Sequence, residues 1–210
     1  MSLPTMTEVV AGFEGCPSWA PAFGYLGASS CMILASWGSA WGTWRAGLGV
    51  CHMGIDHPAG IIKNIVPIVM AGVLGIYGLI VSVIIIQAVT PPNSDHTNVY
   101  SSFNGYTHFA AGLCCGLSCL AAGGTIGILG DAGVRAFGVK ASNGRKWYWD
   151  GSGDDNGMDD GLGTSRGNNS VEGANKLYVG MLIMLIFSEA LALYGLIVAL
   201  ILSQHSYSCE

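Results

Sequence analysis

Apolar residues along this chain are not confined to one face at helical spacing, nor do they alternate as in a strand. They fill four long stretches, 23–44, 62–89, 109–129 and 177–202. Each is long enough to supply the roughly 20 residues that a helix needs to cross a hydrocarbon core of about 30 Å. A helix apolar on all sides must be surrounded by something other than water. The pattern therefore predicts an all-α membrane protein with four transmembrane helices. The connections are 45–61, 90–108 and a long segment, 130–176, whose Gly and Asp runs show no periodicity. The expected organisation is an N-terminal segment (1–22), a first helical hairpin (23–89), a loop (90–108), a second hairpin (109–202, including the loop 130–176) and a C-terminal tail (203–210).

Composition agrees: charged residues make up 10% of the chain, against about 25% in an ordinary soluble domain. The basic residues decide orientation. Arg45, Lys63, Arg135, Lys140, Arg145, Lys146, Arg166 and Lys176 all lie in or beside the first and third loops. Positive residues stay on the cytoplasmic side, so loops 45–61 and 130–176 are expected there, with loop 90–108 and both termini across the membrane. Segment 1–22 has no Lys or Arg, hence no signal-peptide n-region. The net charge of −5 comes largely from 150–172 and gives no reason to expect nucleic acid as a partner. Cys31, Cys114, Cys115 and Cys119 fall in apolar runs, where a thiol packs as a small hydrophobe. Cys16 and Cys209 are placed to face an oxidising compartment, but nothing in the spacing makes a disulfide framework or a zinc site.

The second span contains IYGLIV at 76–81 and the fourth LYGLIV at 193–198, with Tyr77 and Tyr194 separated by 117 residues. The first and third spans share small residues at four-residue spacing: Gly38 and Gly42, then Gly112 and Gly116, Gly123 and Gly127. That spacing lets helix backbones touch in lipid. Two hairpins, each with one small-residue helix and one bulkier helix, read as a parallel repeat of one ancestral hairpin.

Glu189 is the acid that this architecture cannot treat as surface. It lies 12 residues after Leu177 and 13 before Leu202, which at about 1.5 Å per residue places it near the midplane. A carboxylate there costs at least about 2.5–3.5 kcal/mol, and no Lys or Arg lies inside a span to offset it. The expected resting form is the neutral acid, ionising only where a cation or a water-filled path is presented. The same offset of 117 leads to Gly72, so one protomer holds one buried acid for four spans. Side-chain oxygens expected near it are those of Ser188, Tyr194, Tyr77 and Ser82, with Thr and Gln absent at its level. Sodium requires several oxygen ligands and a proton only the carboxyl, which favours the proton. Two functions stay open on these residues: an ion carrier, or a passive pore-forming or structural proteolipid in which Glu189 is a packing residue.

The segments GASS (27–30), IVPIVMAG (65–72), GDAGVR (130–135) and YVGMLIMLIFSEALALYGLIVALIL (178–202) together resemble the V-type ATPase proteolipid, the 16 kDa proteolipid family. The resemblance implies a ring of copies of this chain and related proteolipids, turned by ATP hydrolysis. Glu189 would exchange its proton through half-channels with a stator subunit that supplies a membrane arginine. It further implies an inner circle of first and third spans, an outer circle of second and fourth, contact with a central-stalk subunit, and residence in a vacuolar or other acidic endomembrane. Two features depart from the family: the long segment 136–175 replaces a short connection, and Trp37, Trp41 and Trp44 make the first span bulkier.

The rest of the chain adds little chemistry. No GxxxxGK[ST] phosphate loop is present, so any ATP hydrolysis belongs to partner chains, and no cofactor is called for. A calcium loop begun at Asp150 would have Asp155 where glycine is needed and Gly161 where glutamate is needed, so 150–160 reads as a solvated loop and no metal site is expected. Arg145, Lys146, Trp147, Tyr148 and Trp149 suit either lipid headgroups or a stalk subunit, and the sequon at Asn168 falls on the cytoplasmic side. His52, His57, His96, His108 and His205 lack ligand spacing and are expected to be solvent-facing or interfacial.

Overall fold

The computed structural model describes residues 19–56, 60–90, 100–141 and 163–205, with side chains at all of these but 56, 140–141, 163–172 and 174. Four helices result: α1 (Ala20–Asp56), α2 (Val66–Ala88), α3 (Ser102–Ala141) and α4 (Gly163–Gln204). A 3-10 turn, Lys63–Ile65, leads into α2. Proline sets two of the boundaries. Pro67 occupies the first turn of α2, where its missing N–H breaks no bond. At the other end Val89 is extended, with its N–H still bonded to the Ile85 carbonyl, and the Pro91-Pro92 pair just beyond disfavours further helix.

α2 runs antiparallel to α1: a Cβ on Gly24 would meet Val89, and one on Gly54 would meet Ile61. α3 runs parallel to α1, with Gly27 against His108 and Phe109, Gly38 against Cys119 and Leu120, and Met53 against Gly138. α4 returns along α3, with Met181 against Gly133 and Ser118 against Gly195. Two hairpins therefore stand side by side in the same sense, as the duplication requires. On the glycine seam, Gly27 faces Gly112 and Gly38 faces Gly123, both 85 residues apart. The bulky helices repeat at 117, so the second hairpin carries about 32 extra residues in its connection.

Among the described residues, the segments Lys63–Ala88, Ser102–Val139 and Asn175–Gln204 are long and apolar enough to cross a membrane. α1, at 37 residues, is about 55 Å long; glycines on the face it turns to α3 and Ser29 and Ser36 on its exposed side dilute its apolar character. The helices also overrun the apolar stretches. α1 continues to Asp56, α3 continues through 130–141, and α4 is already helical at 163, all within stretches expected as loops. Apolar length measures the bilayer, whereas helix length depends on backbone bonding. In 130–141 no proline interrupts it, and Asp131 pairs with Arg135 one turn on at 2.6 Å.

The core between the helices holds Leu74, Ile85, Ile126, Val134 and Leu185, all fully buried, together with the thiols of Cys31, Cys115 and Cys119. Many large apolar residues instead point outward, among them Trp37, Trp44, Ile80, Ile186 and Phe187. That much exposed hydrocarbon needs lipid or neighbouring subunits around it. His108 corrects the expectation made for the histidines: it is 1% exposed, and its Nδ1 lies 2.6 Å from the Tyr100 hydroxyl. It sits on the face of α3 turned to Gly27 of α1, which spacing alone did not reveal. His52 and His205 are exposed. The N-terminal segment to residue 18, His57, His96, Cys16, Cys209, the acidic run 150–160 and the Arg145–Trp149 cluster lie outside the described residues, as do the side chains of the sequon at Asn168.

Candidate ion-carrying site

Glu189 is the fifteenth of the 30 residues in the apolar segment Asn175–Gln204 of α4, midway along it. Leu185 and Ala192, one turn to either side on the packed face, are fully buried, whereas Ile186 and Leu193 on the adjoining face are exposed. Glu189 stands at the border between these faces and is half-buried. Its carboxyl is therefore tied to the protomer yet reachable from outside it.

The tie comes from α2. Tyr77 donates its hydroxyl proton to Glu189 Oε1 at 2.9 Å. Among the described residues no ion pair reaches the carboxyl; that of Asp131 with Arg135 belongs to the far end of α3. Of the four oxygens expected around it, only that of Tyr77 is brought into a hydrogen bond with it. Ser82 donates to the Leu79 carbonyl of its own helix, Tyr194 is 63% exposed, and Ser188 is turned toward α3.

There Ser188 meets a residue that sequence reasoning missed. Thr125 Oγ1 lies 2.5 Å from Ser188 Oγ, so a threonine does stand at the level of the acid. Its own position in the sequence carries no signal; the helix pairing does. From the Gly133–Met181 contact, moving seven residues up α4 and eight back along α3 brings Ser188 opposite Thr125. Thr125 also donates to the Ala122 carbonyl at 2.9 Å. Neither hydroxyl proton is directed at the carboxyl, which takes its hydrogen bond from Tyr77. No group of three or more potential metal ligands occurs among the described residues.

Gly72, the duplicate of Glu189, has no atom within 4 Å of where a Cβ would stand. The absence of a second acid is not imposed by crowding within the protomer.

Tyr77→Phe tests the tie directly. Interhelical hydrogen bonds in lipid average about 0.6 kcal/mol, so the carboxyl should be freed about threefold more often. Reaction of Glu189 with a hydrophobic carbodiimide should accelerate by that factor, read by peptide mapping, with the helices intact.

The sequence profile of the ATP synthase C-subunit family matches residues 26–85 and 161–202. A "V-type proton ATPase 16 kDa proteolipid subunit" of Chrysotila carterae is 46% identical over 93% of this chain and 98% of its own. The chain belongs to the V-type ATPase proteolipid family. The c′ proteolipid of the V-type proton ATPase of Neurospora crassa is 39% identical over 96% of this chain and 99% of its own. A 16 kDa proteolipid of the V-type proton ATPase of Caenorhabditis elegans, the second of its c type, is 40% identical over 88% and 91%. The chain is an integral membrane protein, all-α, folded as tandem hairpins. The first profile match covers the hairpin of α1 and α2, and the second covers α4 with the acid.

Proposed function

We propose that this chain is a proton-translocating rotor-ring subunit of a V-type ATPase, and that Glu189 is the group that carries the proton. The observation behind this reading is a half-buried carboxyl midway along an apolar helix, held by one hydroxyl donor and reached by no ion pair among the described residues. A charge so placed is disfavoured in lipid, so the group travels as the neutral acid and ionises where the surroundings supply water or a cation. In a ring of copies of this chain and related proteolipids, α1 and α3 would form the inner circle through their glycine seam. α2 and α4 would form the outer circle, with Glu189 near its surface. Rotation would bring each protonated Glu189 to a stator, whose membrane arginine stabilises the carboxylate and expels the proton into a half-channel. Protonation from the other half-channel restores the neutral acid. Torque would arrive through a central-stalk subunit, with ATP hydrolysed on partner chains.

The distribution of basic residues supports loops 45–61 and 130–176 in the cytoplasm, with both termini in the lumen of a vacuole or another acidic endomembrane. Covalent labelling of membranes with a hydrophobic carbodiimide, which attacks protonated carboxyls in apolar surroundings, tests the carrier. Labelling of Glu189 that persists toward neutral pH and ignores sodium is the expected result. Protection by sodium would make the ion sodium. No labelling would assign the Tyr77–Glu189 bond to packing and the chain to a passive structural role.

A further inference from the structure

The bond between Thr125 and Ser188 lies one residue from the acid, and the proton carrier does not itself use it. We propose that Thr125 and Ser188 form an interhelical clamp that fixes the rotational setting of α4, so that Glu189 is presented to Tyr77 and to the ring's outer surface at one defined angle. The inference rests on Glu189 being the proton carrier. Successive residues of a helix are separated by about 100° around its axis. Ser188 is buried against α3, so holding it there sets Glu189 about one quarter-turn away, on the side where α2 supplies Tyr77. The two bonds act on neighbouring residues from two different helices. They add to the packing of Leu185 and Ala192, which seats this face of α4, two directional contacts that hold its angle at the level of the acid.

The hydrogen-bond directions make the clamp specific. The Thr125 hydroxyl also reaches the carbonyls of Ala122 at 2.9 Å and Ala121 at 3.3 Å, so the arrangement that places both hydroxyl protons has Ser188 donating to Thr125 across the 2.5 Å contact. The Ser188 hydroxyl is thereby withheld from the neighbouring carboxyl, which keeps Tyr77 as its donor. Rolling α4 to swing Glu189 outward would break the clamp, whereas turning the glutamate side chain breaks only the bond to Tyr77. Thr125 and Ser188 are thus positioning residues: the acid leaves its resting place by side-chain rotation over a fixed helix.

The test uses membranes carrying the assembled ATPase, with ATP-driven proton pumping normalised to the amount of ring. Thr125→Val keeps the shape and removes the acceptor; Ser188→Ala removes the donor. Each should lower the maximal pumping rate about threefold, with KM for ATP unchanged because the nucleotide sites lie on other chains. Thr125→Ser, which keeps the hydroxyl, should restore pumping, and the double variant Thr125→Val with Ser188→Ala should be no slower than either single one. Wild-type pumping by Ser188→Ala or Thr125→Val, failure of Thr125→Ser to restore it, or losses that multiply in the double variant would each overturn the clamp. Glu189→Gln in the same series separates the two levels: if it pumps, the carrier itself is wrong; if it is silent while the clamp variants pump normally, only the clamp is wrong.

Discussion

Replacing Glu189 with glutamine abolishes ATP-driven proton pumping while the ring still assembles. The exchange is nearly isosteric, and the amide oxygen can still accept the proton that Tyr77 donates at 2.9 Å to Glu189 Oε1. Packing at the half-buried border of α4 is therefore retained. What is lost is ionisation: an amide neither binds nor releases a proton in the accessible pH range. Position 72 holds a glycine and cannot substitute, so the mutant protomer has no second acid midway along its membrane segments. The loss should be complete rather than partial. Proton uptake by vesicles, measured beside the amount of ring in the same membranes, checks it. Transport at the wild-type rate by fully mutant rings would leave Glu189 as a packing residue.

How much of this was legible beforehand follows from what each inference depends on. The four helices, their hairpin arrangement and the position of Glu189 depend on apolar length and on one charged residue, and both are properties of a linear string. The YGLIV repeat places Tyr77 and Tyr194 in register without coordinates. Their different fates were not legible: Tyr77 turns to the acid, whereas Tyr194 is exposed on its own helix. Which of two duplicate tyrosines serves the site depends on which hairpin carries the glutamate and how the hairpins are apposed.

Two misses share a cause. Thr125 and His108 both lie in α3, where their own helix gives no reason to single them out. Each acquires meaning only from a partner elsewhere, Ser188 on α4 for the first and Tyr100 before α3 for the second. Thr125 meets its partner through the rotation and relative height of two helices, and His108 through the path of the segment that leads into α3; periodicity within one span encodes neither. The glycine rows differ. Spacing of four residues points to close approach, and the structure supplies the partner of each row, Gly27 with Gly112 and Gly38 with Gly123.

That seam carries the second large effect: Gly112→Leu prevents assembly. A Cβ at 112 would overlap the Gly27 carbonyl group of α1, and the atoms in the way are backbone rather than the end of a flexible side chain. Relief requires separating two long helices, not turning one rotamer. Overpacking that forces side chains off their rotamers and shifts backbone costs typically about 1–3 kcal/mol and occasionally more. With backbone directly opposite, leucine at 112 falls at the upper end, a large share of a domain's whole stability of about 5–15 kcal/mol. The effect should spread, because α1 and α3 touch along their length from Gly27 to Met53, and parting them at one level loosens the levels above and below. Gly72→Ala is the matched control, since a Cβ there meets nothing within 4 Å. Native electrophoresis of solubilised membranes should show the ring in the control and none in Gly112→Leu, with pumping lost in parallel. An intact ring bearing Gly112→Leu would mean that the α1–α3 seam is not the close backbone contact on which the inner circle is proposed to rest.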